Sequence, residues 1–378
     1  MRKALRRFGA FLLFLLAALC FAPTLVPPFL DRIYYEGPAS DHYDGRHFFN
    51  PESPQPRRID PRRFLNRWAG ERAVWPDNVP VRPTIPPRQV RDRDMLVTWI
   101  GHSTVLIQTA GINILTDPIW SERASPFSFI GPRRVRAPGV RFEDLPRIDL
   151  VLVSHNHYDH MDLPTLRRLW DRDRPLIVTS LGNDTILRSA GIEARAFDWG
   201  GGQNLRCDSP YRHLPRDQWP QFRYAGLAEH PCFVMAMRNH HWGSRWGTDR
   251  NRALWSAFAI HTLGGSIFFA GDTGWAGGGW AREAARRGPF RLAIIPIGAY
   301  LPRDVMQDNH VDPEESVQIF EALNPVRALG VHWGTFQLTF EGIDDPPRAL
   351  AAALRARAIA PERFVATEAG QSFRVPER

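Results

Sequence analysis

The sequence predicts an α/β fold in which two mixed β-sheets face each other and carry helices on their outer sides. Two features of the pattern indicate this fold. Short apolar strands separated by turns come first, and apolar strands that alternate with helical patterns follow them. The chain has 378 residues, of which 43% are hydrophobic, and this is enough for one large core. We therefore expect one folded body over residues 95–378 rather than two separable domains.

Most of the expected strands are short runs rich in valine, isoleucine, leucine or phenylalanine, a composition typical of strands buried on both faces. They cover residues 95–100, 104–109, 112–116, 149–154, 176–179, 232–238, 255–261, 265–270, 292–297 and 326–331. Helices are expected near residues 163–170, 279–287, 313–323 and 346–357. The third helix has a clear start, because Asp312 is a suitable N-cap and Pro313 a suitable first helical residue.

Three imidazoles and one carboxylate lie within six residues at the end of the strand near Leu152. Side chains alternate between the faces of a strand, so His155 and His157 can bind one cation together. Asp159 and His160 follow where the chain must already turn, and they can reach a second cation. The strand is expected to be buried and parallel, and open α/β sheets hold ligands at the carboxyl ends of such strands. This spacing favours a metal site over a solvated histidine-rich loop.

Other strand ends add candidates. Asp117 closes an earlier strand, where it either accepts an N–H from a ligating histidine or only turns the chain. One of the adjacent residues His240 and His241 can face the site. Asp272 lies between glycines after another strand and is a candidate bridge between two cations. His332 ends the last strand, and a dinuclear site needs about six or seven ligands.

The pattern His-x-His-x-Asp-His, with a later His, Asp and His at strand ends, resembles that of the metallo-β-lactamase superfamily. The match is closer to one branch, the N-acylphosphatidylethanolamine-hydrolysing phospholipases D, and runs from about Met95 to about Ser372. The segments that carry this resemblance are Gly101–Thr104, Thr116–Ile119, Gly131–Arg134, Ser154–Asp162, Gly271–Gly274, Ile295–Tyr300, His310–Glu315 and His332–Phe336. It implies a metallo-β-lactamase-type four-layer αββα sandwich.

The resemblance also implies the roles of individual residues. One Zn²⁺ would be held by His155, His157 and His241, and the second Zn²⁺ by Asp159, His160 and His332, with Asp272 as the bridge. His241 is chosen over His240 because Trp242 follows it, as in the family pattern. Asp159 and Asp272 would also orient the nucleophile.

His310 matches a family histidine that faces the substrate phosphate, which makes it a third candidate catalytic residue. The start of the helix at Asp312 places it beside a positive helix end. A purely structural role, as a hydrogen bonder in a loop, is the alternative. One departure from the family is residues 200–229, a longer stretch that is rich in glycine, then in proline, arginine and aromatic residues.

The implied activity is that of a zinc-dependent phosphodiesterase of the phospholipase D type, acting on N-acylphosphatidylethanolamine-like phospholipids. A lactonase or other ester hydrolase on the same scaffold is the first alternative, because a fold does not determine the reaction. A non-catalytic, membrane-tethered zinc module is the second. An intact ligand set argues against it, because structural zinc sites rarely leave an open position for water.

The N-terminus suggests a membrane anchor over residues 1–30. Arg2, Lys3, Arg6 and Arg7 precede an apolar run over residues 8–26 that contains one proline. At about 1.5 Å per residue, this run comes close to spanning a hydrocarbon core about 30 Å thick. We expect the basic end in the cytoplasm and the catalytic body on the periplasmic side of the inner membrane. A cleaved signal peptide is the alternative, although no clear cleavage site follows the run.

The charge distribution bears on partners. Before Met95 there are 16 basic and 10 acidic residues, so six of the eight excess positive charges lie in the anchor and in the Pro/Arg-rich extension over residues 31–94. That extension either meets the anionic headgroups of a membrane surface or is a solvated linker. The same distribution argues against nucleic acid as a partner, because a nuclease needs its positive charge around the metal site. Cys207 and Cys232 could pair in an oxidising compartment.

Overall fold

The computed structural model of the chain describes residues 2–25, 33–53, 72–205 and 232–377. The first sheet holds strands β1 (Met95–Gly101), β2 (Thr104–Thr109), β3 (Ile112–Thr116), β4 (Leu150–Val153), β5 (Leu176–Ser180) and β6 (Arg195–Phe197). The second holds β7 (Gly202–Leu205), β8 (Cys232–Met237), β9 (Ala257–Thr262), β10 (Gly265–Phe269), β11 (Phe290–Pro296), β12 (Arg327–Val331) and β13 (Phe364–Val365), and β14 (Ser372–Arg374) returns to the first sheet. The helices are α1 (Arg2–Leu25), α2 (Leu163–Asp173), α3 (Asn183–Ser189), α4 (Gly279–Ala285), α5 (Arg303–Met306), α6 (Pro313–Leu323) and α7 (Asp345–Ala356).

The strands of both sheets run in mixed directions. The first sheet has the order β14-β1-β2-β3-β4-β5-β6 and the second the order β13-β12-β11-β10-β9-β8-β7. The pairs from β3 to β6 are parallel, as are those from β10 to β13, and the other pairs are antiparallel. The carboxyl ends of parallel neighbours lie at one edge of a sheet, and this geometry gathers the residues that follow β3, β4, β10 and β12.

Because side chains point alternately to the two faces of a strand, the buried hydrophobic residues of the strands form two clusters. Leu150 and Leu152 of β4 belong to the large cluster between the sheets, whereas Val151 and Val153 belong to a second cluster on the outer face. Helices α2 and α3 cover that outer face through residues such as Leu166, and α4, α6 and α7 cover the other sheet. The fold is therefore the expected four-layer αββα sandwich.

All the expected strands are present, and their ends lie within two residues of the prediction. Helix α6 has the predicted bounds, and its start is a capping box in which Asp312 accepts from the backbone N–H of Glu315. No pattern in the sequence predicted α3, α5, β6, β7, β13 and β14. Most of these elements span only two to four residues, too few for a periodic pattern to be visible.

The segment over residues 33–53 packs against the body. The Tyr34 hydroxyl donates to Asp249 Oδ2 (2.9 Å), and the buried His42 ring lies between Asp41 and Asp198, 2.7 Å from Asp198 Oδ1. Residues 33–53 are therefore in direct contact with the folded body. The domain boundary expected near Met95 is not tested by these contacts and stays a prediction.

Three expectations concern segments that the structure describes only in part or not at all. Helix α1 covers most of the expected anchor. Among the residues that the structure describes, no helix is long and apolar enough to cross a membrane. Cys232 is disulfide-bonded, but Cys207, its suggested partner, lies outside the described residues, as does most of the 200–229 stretch.

Candidate metal centre

Three imidazoles converge where the chain leaves β4 and β8. His155 Nε2 lies 2.8 Å from His157 Nδ1, and His241 Nε2 lies 3.4 Å from the same atom. The donor atoms of this group all lie within 4.8 Å of one another. The group joins the two sheets, because His155 and His157 follow a strand of the first and His241 follows a strand of the second.

A second group lies beside the first. His160 Nε2 lies 3.2 Å and His332 Nε2 3.4 Å from Asp159 Oδ2. This group contains a carboxylate, so its donors are two nitrogens and an oxygen. Here too, one sheet supplies Asp159 and His160 and the other supplies His332.

The Asp272 carboxylate lies between the two groups. Its Oδ2 is 3.0 Å from His332 Nε2 and 3.1 Å from His160 Nε2. The same oxygen is 3.9 Å from His241 Nε2 and 4.0 Å from His155 Nε2. One oxygen within 4.0 Å of nitrogens from both groups has the position of a bridge.

The chemistry of these donors fits a pair of divalent cations. Imidazole nitrogens and carboxylate oxygens are ligands that zinc prefers. His160 Nε2, His332 Nε2 and Asp272 Oδ1 are buried and have no hydrogen-bond partner, an arrangement that is costly unless another group joins them. The structure thus brings together all seven residues expected as ligands, and their role as ligands stays a prediction.

The pKa shifts differ between the groups. Burial lowers the pKa of His155 and of His241 well below the ordinary histidine value, so both rings are neutral and can offer a lone pair. Burial also acts on His160 and His332, but the Asp272 carboxylate and its neighbours outweigh it. They raise the pKa of His160 well above its ordinary value and that of His332 to about 9.

Asp117 is linked by hydrogen bonds to one histidine of each group. Its carboxylate accepts from the backbone N–H of Ser154 (2.7 Å), from the Ser154 hydroxyl (2.6 Å) and from His160 Nδ1 (2.6 Å). The Ser154 oxygen lies 2.9 Å from His155 Nδ1. Asp117 thus engages Nδ1 of His160 and leaves Nε2 facing the site, and it acts on His155 through the serine. The hydrogen bond that the first interpretation of Asp117 requires is therefore present, and the role of His160 as a ligand stays a prediction.

His102 is a site residue that the sequence analysis did not assign. It is buried, and its Nε2 donates to Asp159 Oδ2 (2.9 Å), because an ionised carboxylate can only accept. The backbone N–H of His332 donates to the carbonyl of His102 (3.0 Å). The signal was present, since His102 directly follows a strand within a quoted family segment.

The backbone is strained at three of these residues. His102, Asp117 and His332 have φ values of 53°, 32° and 65°, a region that costs a non-glycine residue about 1–3 kcal/mol. The surrounding hydrogen bonds hold these conformations. Strained backbone conformations of this kind cluster at functional sites, where the direction of a side chain is part of the function.

The choice of His241 over His240 agrees with the geometry. His240 Nδ1 bonds to the carbonyl of Asp308 (2.8 Å), away from the site, while His241 Nδ1 bonds to the carbonyl of Asn309 (2.9 Å) and leaves Nε2 to the site. Asn50, which the sequence analysis did not consider, donates from Nδ2 to the carbonyl of His241 (2.8 Å). The segment before Met95 therefore contacts the backbone of an expected ligand.

His310 lies at the edge of the centre. Its Nδ1 is 3.9 Å from Asp272 Oδ2 and has no hydrogen-bond partner. The carbonyl of His310 accepts from Arg303 Nη1 (2.8 Å), which fixes the backbone. Burial lowers the pKa of His310 to about 4, so the ring is neutral at neutral pH and carries one N–H. The loop is fixed by its backbone, and the ring is left available.

Comparisons with known proteins agree with this geometry. A family model described as a beta-lactamase superfamily domain matches residues 112–333. The chain is 32% identical to N-acyl-phosphatidylethanolamine-hydrolyzing phospholipase D 1 of Caenorhabditis elegans over 75% of this chain and 77% of that protein. It is 30% identical to the mitochondrial N-acyl-phosphatidylethanolamine-hydrolyzing phospholipase D of Saccharomyces cerevisiae over 67% of this chain, which spans half of that longer protein.

A solved structure supports the fold. Igni18, a metallo hydrolase from Ignicoccus hospitalis, superimposes with a TM-score of 0.52 at 18% identity, over 75% of this chain and 100% of the other. At this identity the likeness concerns the fold alone.

Proposed function

Because this chain belongs to the metallo-β-lactamase superfamily, in the branch of the N-acyl-phosphatidylethanolamine-hydrolysing phospholipases D, and is a metal-dependent hydrolase, we propose that it is a phosphodiesterase of the phospholipase D type. The proposed substrates are N-acylphosphatidylethanolamine-like phospholipids, and hydrolysis would give a phosphatidic acid and an N-acylethanolamine. The observation that carries this proposal is the position of the His310 ring, whose buried Nδ1 lies 3.9 Å from Asp272 Oδ2 and has no hydrogen-bond partner.

We propose zinc as the ion. His155, His157 and His241 would hold one ion, Asp159, His160 and His332 the other, and Asp272 would contact both. When bound, such a pair supplies Lewis-acid polarisation of a phosphoryl oxygen and lowers the pKa of a water molecule.

The protein's own groups would orient the reactants. The carboxylates of Asp159 and Asp272 can only accept hydrogen bonds, so they would hold the attacking water by its protons. The His102 hydrogen bond fixes the Asp159 carboxylate for this task. His310 would donate its N–H to a phosphoryl oxygen, where negative charge grows in the transition state.

A contact with the membrane is part of the proposal, because the proposed substrates reside in bilayers. The expected attachment of residues 1–30 to the inner membrane, with a periplasmic body, belongs here too. It is supported by the basic and apolar pattern of that segment. Intact full-length protein that fractionates with the soluble proteins of the cell would refute the attachment.

The test of the function uses the purified full-length protein, with metal content measured in the same sample. Paired water-soluble substrates, a short-chain phosphodiester and a lactone, are assayed side by side. We expect close to two zinc ions per chain and a higher kcat/KM for the phosphodiester than for the lactone. Faster lactone hydrolysis would identify an ester hydrolase instead. Bound metal without turnover of either substrate would identify a non-catalytic module.

A further inference from the structure

A loop that presents three large apolar side chains to solvent lies between β3 and β4. Phe127, Phe129 and Ile130 are 52%, 76% and 58% exposed, and every residue over the range 126–131 is exposed. We call residues 125–131 the apolar loop. The surface of a soluble protein rarely exposes three such side chains within four residues. A contiguous exposed apolar patch indicates a binding surface.

Hydrogen bonds at its base hold the apolar loop in shape. Arg123 donates from Nε to the carbonyl of Ser128 (3.2 Å) and from Nη1 to the carbonyl of Gly131 (2.6 Å). The backbone N–H of Ala124 donates to the carbonyl of Pro132 (3.1 Å). The apolar side chains therefore lie on a loop whose base is held by three hydrogen bonds.

Positive charge lies on one side of the apolar loop. A cavity of 450 Å³ there is lined by Arg72, Arg123 and Arg133, with Asp77 as its one acidic lining residue. The Arg133 side chain is exposed. Exposed aromatic rings beside arginines form an amphipathic surface that suits a bilayer with anionic phospholipids.

A second cavity, of 460 Å³, lies on the other side. Ser125 and Pro126 of the apolar loop line it, together with Ile33 and Trp246, which are 53% and 50% exposed. Tyr158, which lies between two of the expected ligands in the sequence, forms part of its wall. The apolar loop is thus shared by a basic cavity and by a mainly apolar cavity that reaches the back of the metal-binding loop.

The exposed apolar side chains are concentrated here. Outside α1, the described residues expose seven large hydrophobic side chains, and five of them belong to the apolar loop or to the adjoining cavity. A random scatter of single exposed residues needs no explanation, but this concentration does.

We propose that the apolar loop docks the catalytic body onto a lipid bilayer, with Phe127, Phe129 and Ile130 inserted among the headgroups and Arg133 against anionic phosphates. The proposal rests on the phospholipid substrate proposed above, and it adds a place of contact other than the N-terminal segment. Insertion would bring the cavity beside Tyr158 to the membrane surface.

The test measures the binding of full-length protein to phosphatidylcholine vesicles with and without phosphatidylglycerol. Phe129→Ser should weaken binding roughly tenfold, because it removes a large inserted side chain. The matched control is Ile85→Ser, since Ile85 is 71% exposed on another segment, and its binding should match that of the wild type. Arg133→Gln should weaken binding about fivefold on anionic vesicles and leave it unchanged on neutral ones.

A second measurement separates the apolar loop from the N-terminal segment. Ser128→Cys carries an environment-sensitive dye, and Arg348→Cys on α7 carries the same dye as a control. Vesicles should shift the emission of the dye at position 128 to the blue, and lipid-borne quenchers should reduce it, while the control dye does not respond. Labelling of the native cysteines is measured by treating the wild type with the same dye.

No response of the dye at position 128 to vesicles would overturn the proposal, because that dye reports on the apolar loop itself and not on the N-terminal segment. A dimer that Phe129→Ser converts to a monomer without lipid would also overturn it, in favour of contact between copies. The proposed activity is tested separately on water-soluble substrates. A wild type that docks but cleaves no phosphodiester would refute that activity and leave the docking in place.

Discussion

Asp117→Asn should lower the affinity for metal without removing any expected ligand. The asparagine can still accept from the backbone N–H of Ser154, but its amide N–H₂ would face His160 Nδ1 in place of a carboxylate oxygen. To avoid two facing donors, His160 must move its proton from Nδ1 to Nε2. The Nε2 lone pair is then lost to the site.

The magnitude follows from the number of contacts that change. Loss of a partner behind one ligand typically costs about 10- to 100-fold in metal affinity. Asp117 supports His160 directly and His155 through the Ser154 hydroxyl, so we expect a loss of about 100-fold, or about 2.8 kcal/mol. The ion at His160 should be lost first, because His155 keeps its contact with Ser154.

The assay is a competition titration of metal-free protein with zinc and a chromophoric chelator, which resolves two binding steps. Asp162→Asn is the matched control. Asp162 is also buried and accepts from Ser121 and Thr165, but it contacts none of the expected ligands. Its substitution should lower the melting temperature and leave zinc affinity unchanged. Zinc affinities within threefold of the wild type in Asp117→Asn would refute the reasoning.

Three further predictions concern other parts of the chain. His310→Ala should keep both ions while kcat on a phosphodiester falls about 10²- to 10³-fold; loss of metal would show a structural role. Asp272→Ala should lose most of the bound metal, measured as ions per chain, and retention of two ions would contradict the bridge. His42→Asn should lower the free energy of unfolding by about 1–2 kcal/mol at pH 5.5. The flanking carboxylates outweigh burial and raise the pKa of His42, so this difference should vanish as the pH rises through that pKa. An equal difference at pH 9 would refute it.

The core strands could be predicted because each carries its own signal. Strand β4, for example, is an uninterrupted apolar run of four residues that is buried on both faces. Strand β14 carries no such signal, since Ser372 and Arg374 are exposed and its place comes from pairing with β1, more than 270 residues earlier in the chain. Pairing at such separation depends on the whole fold, which a local pattern does not contain.

The candidate site shows the same division. His155, His157, Asp159 and His160 were recognisable because they share one short segment. His102 was harder to assign, because only the folded structure places its ring 2.9 Å from Asp159. Asn50 was not predictable at all, since an asparagine that supports a backbone carbonyl from a distant segment has no pattern in the sequence. Spacing thus reveals ligands that are neighbours in the chain and misses the groups that orient them.

The position of the centre gives metal binding a structural consequence. The first sheet supplies four of the expected ligands and the second supplies His241, Asp272 and His332. The contacts of His157 with His241 and of Asp159 with His332, both at 3.4 Å, cross between the sheets. A cation held by both sides therefore opposes any separation of the sheets, and its binding energy becomes folding energy. Each tenfold rise in free metal above the dissociation constant should add about 1.4 kcal/mol to the stability of the sandwich.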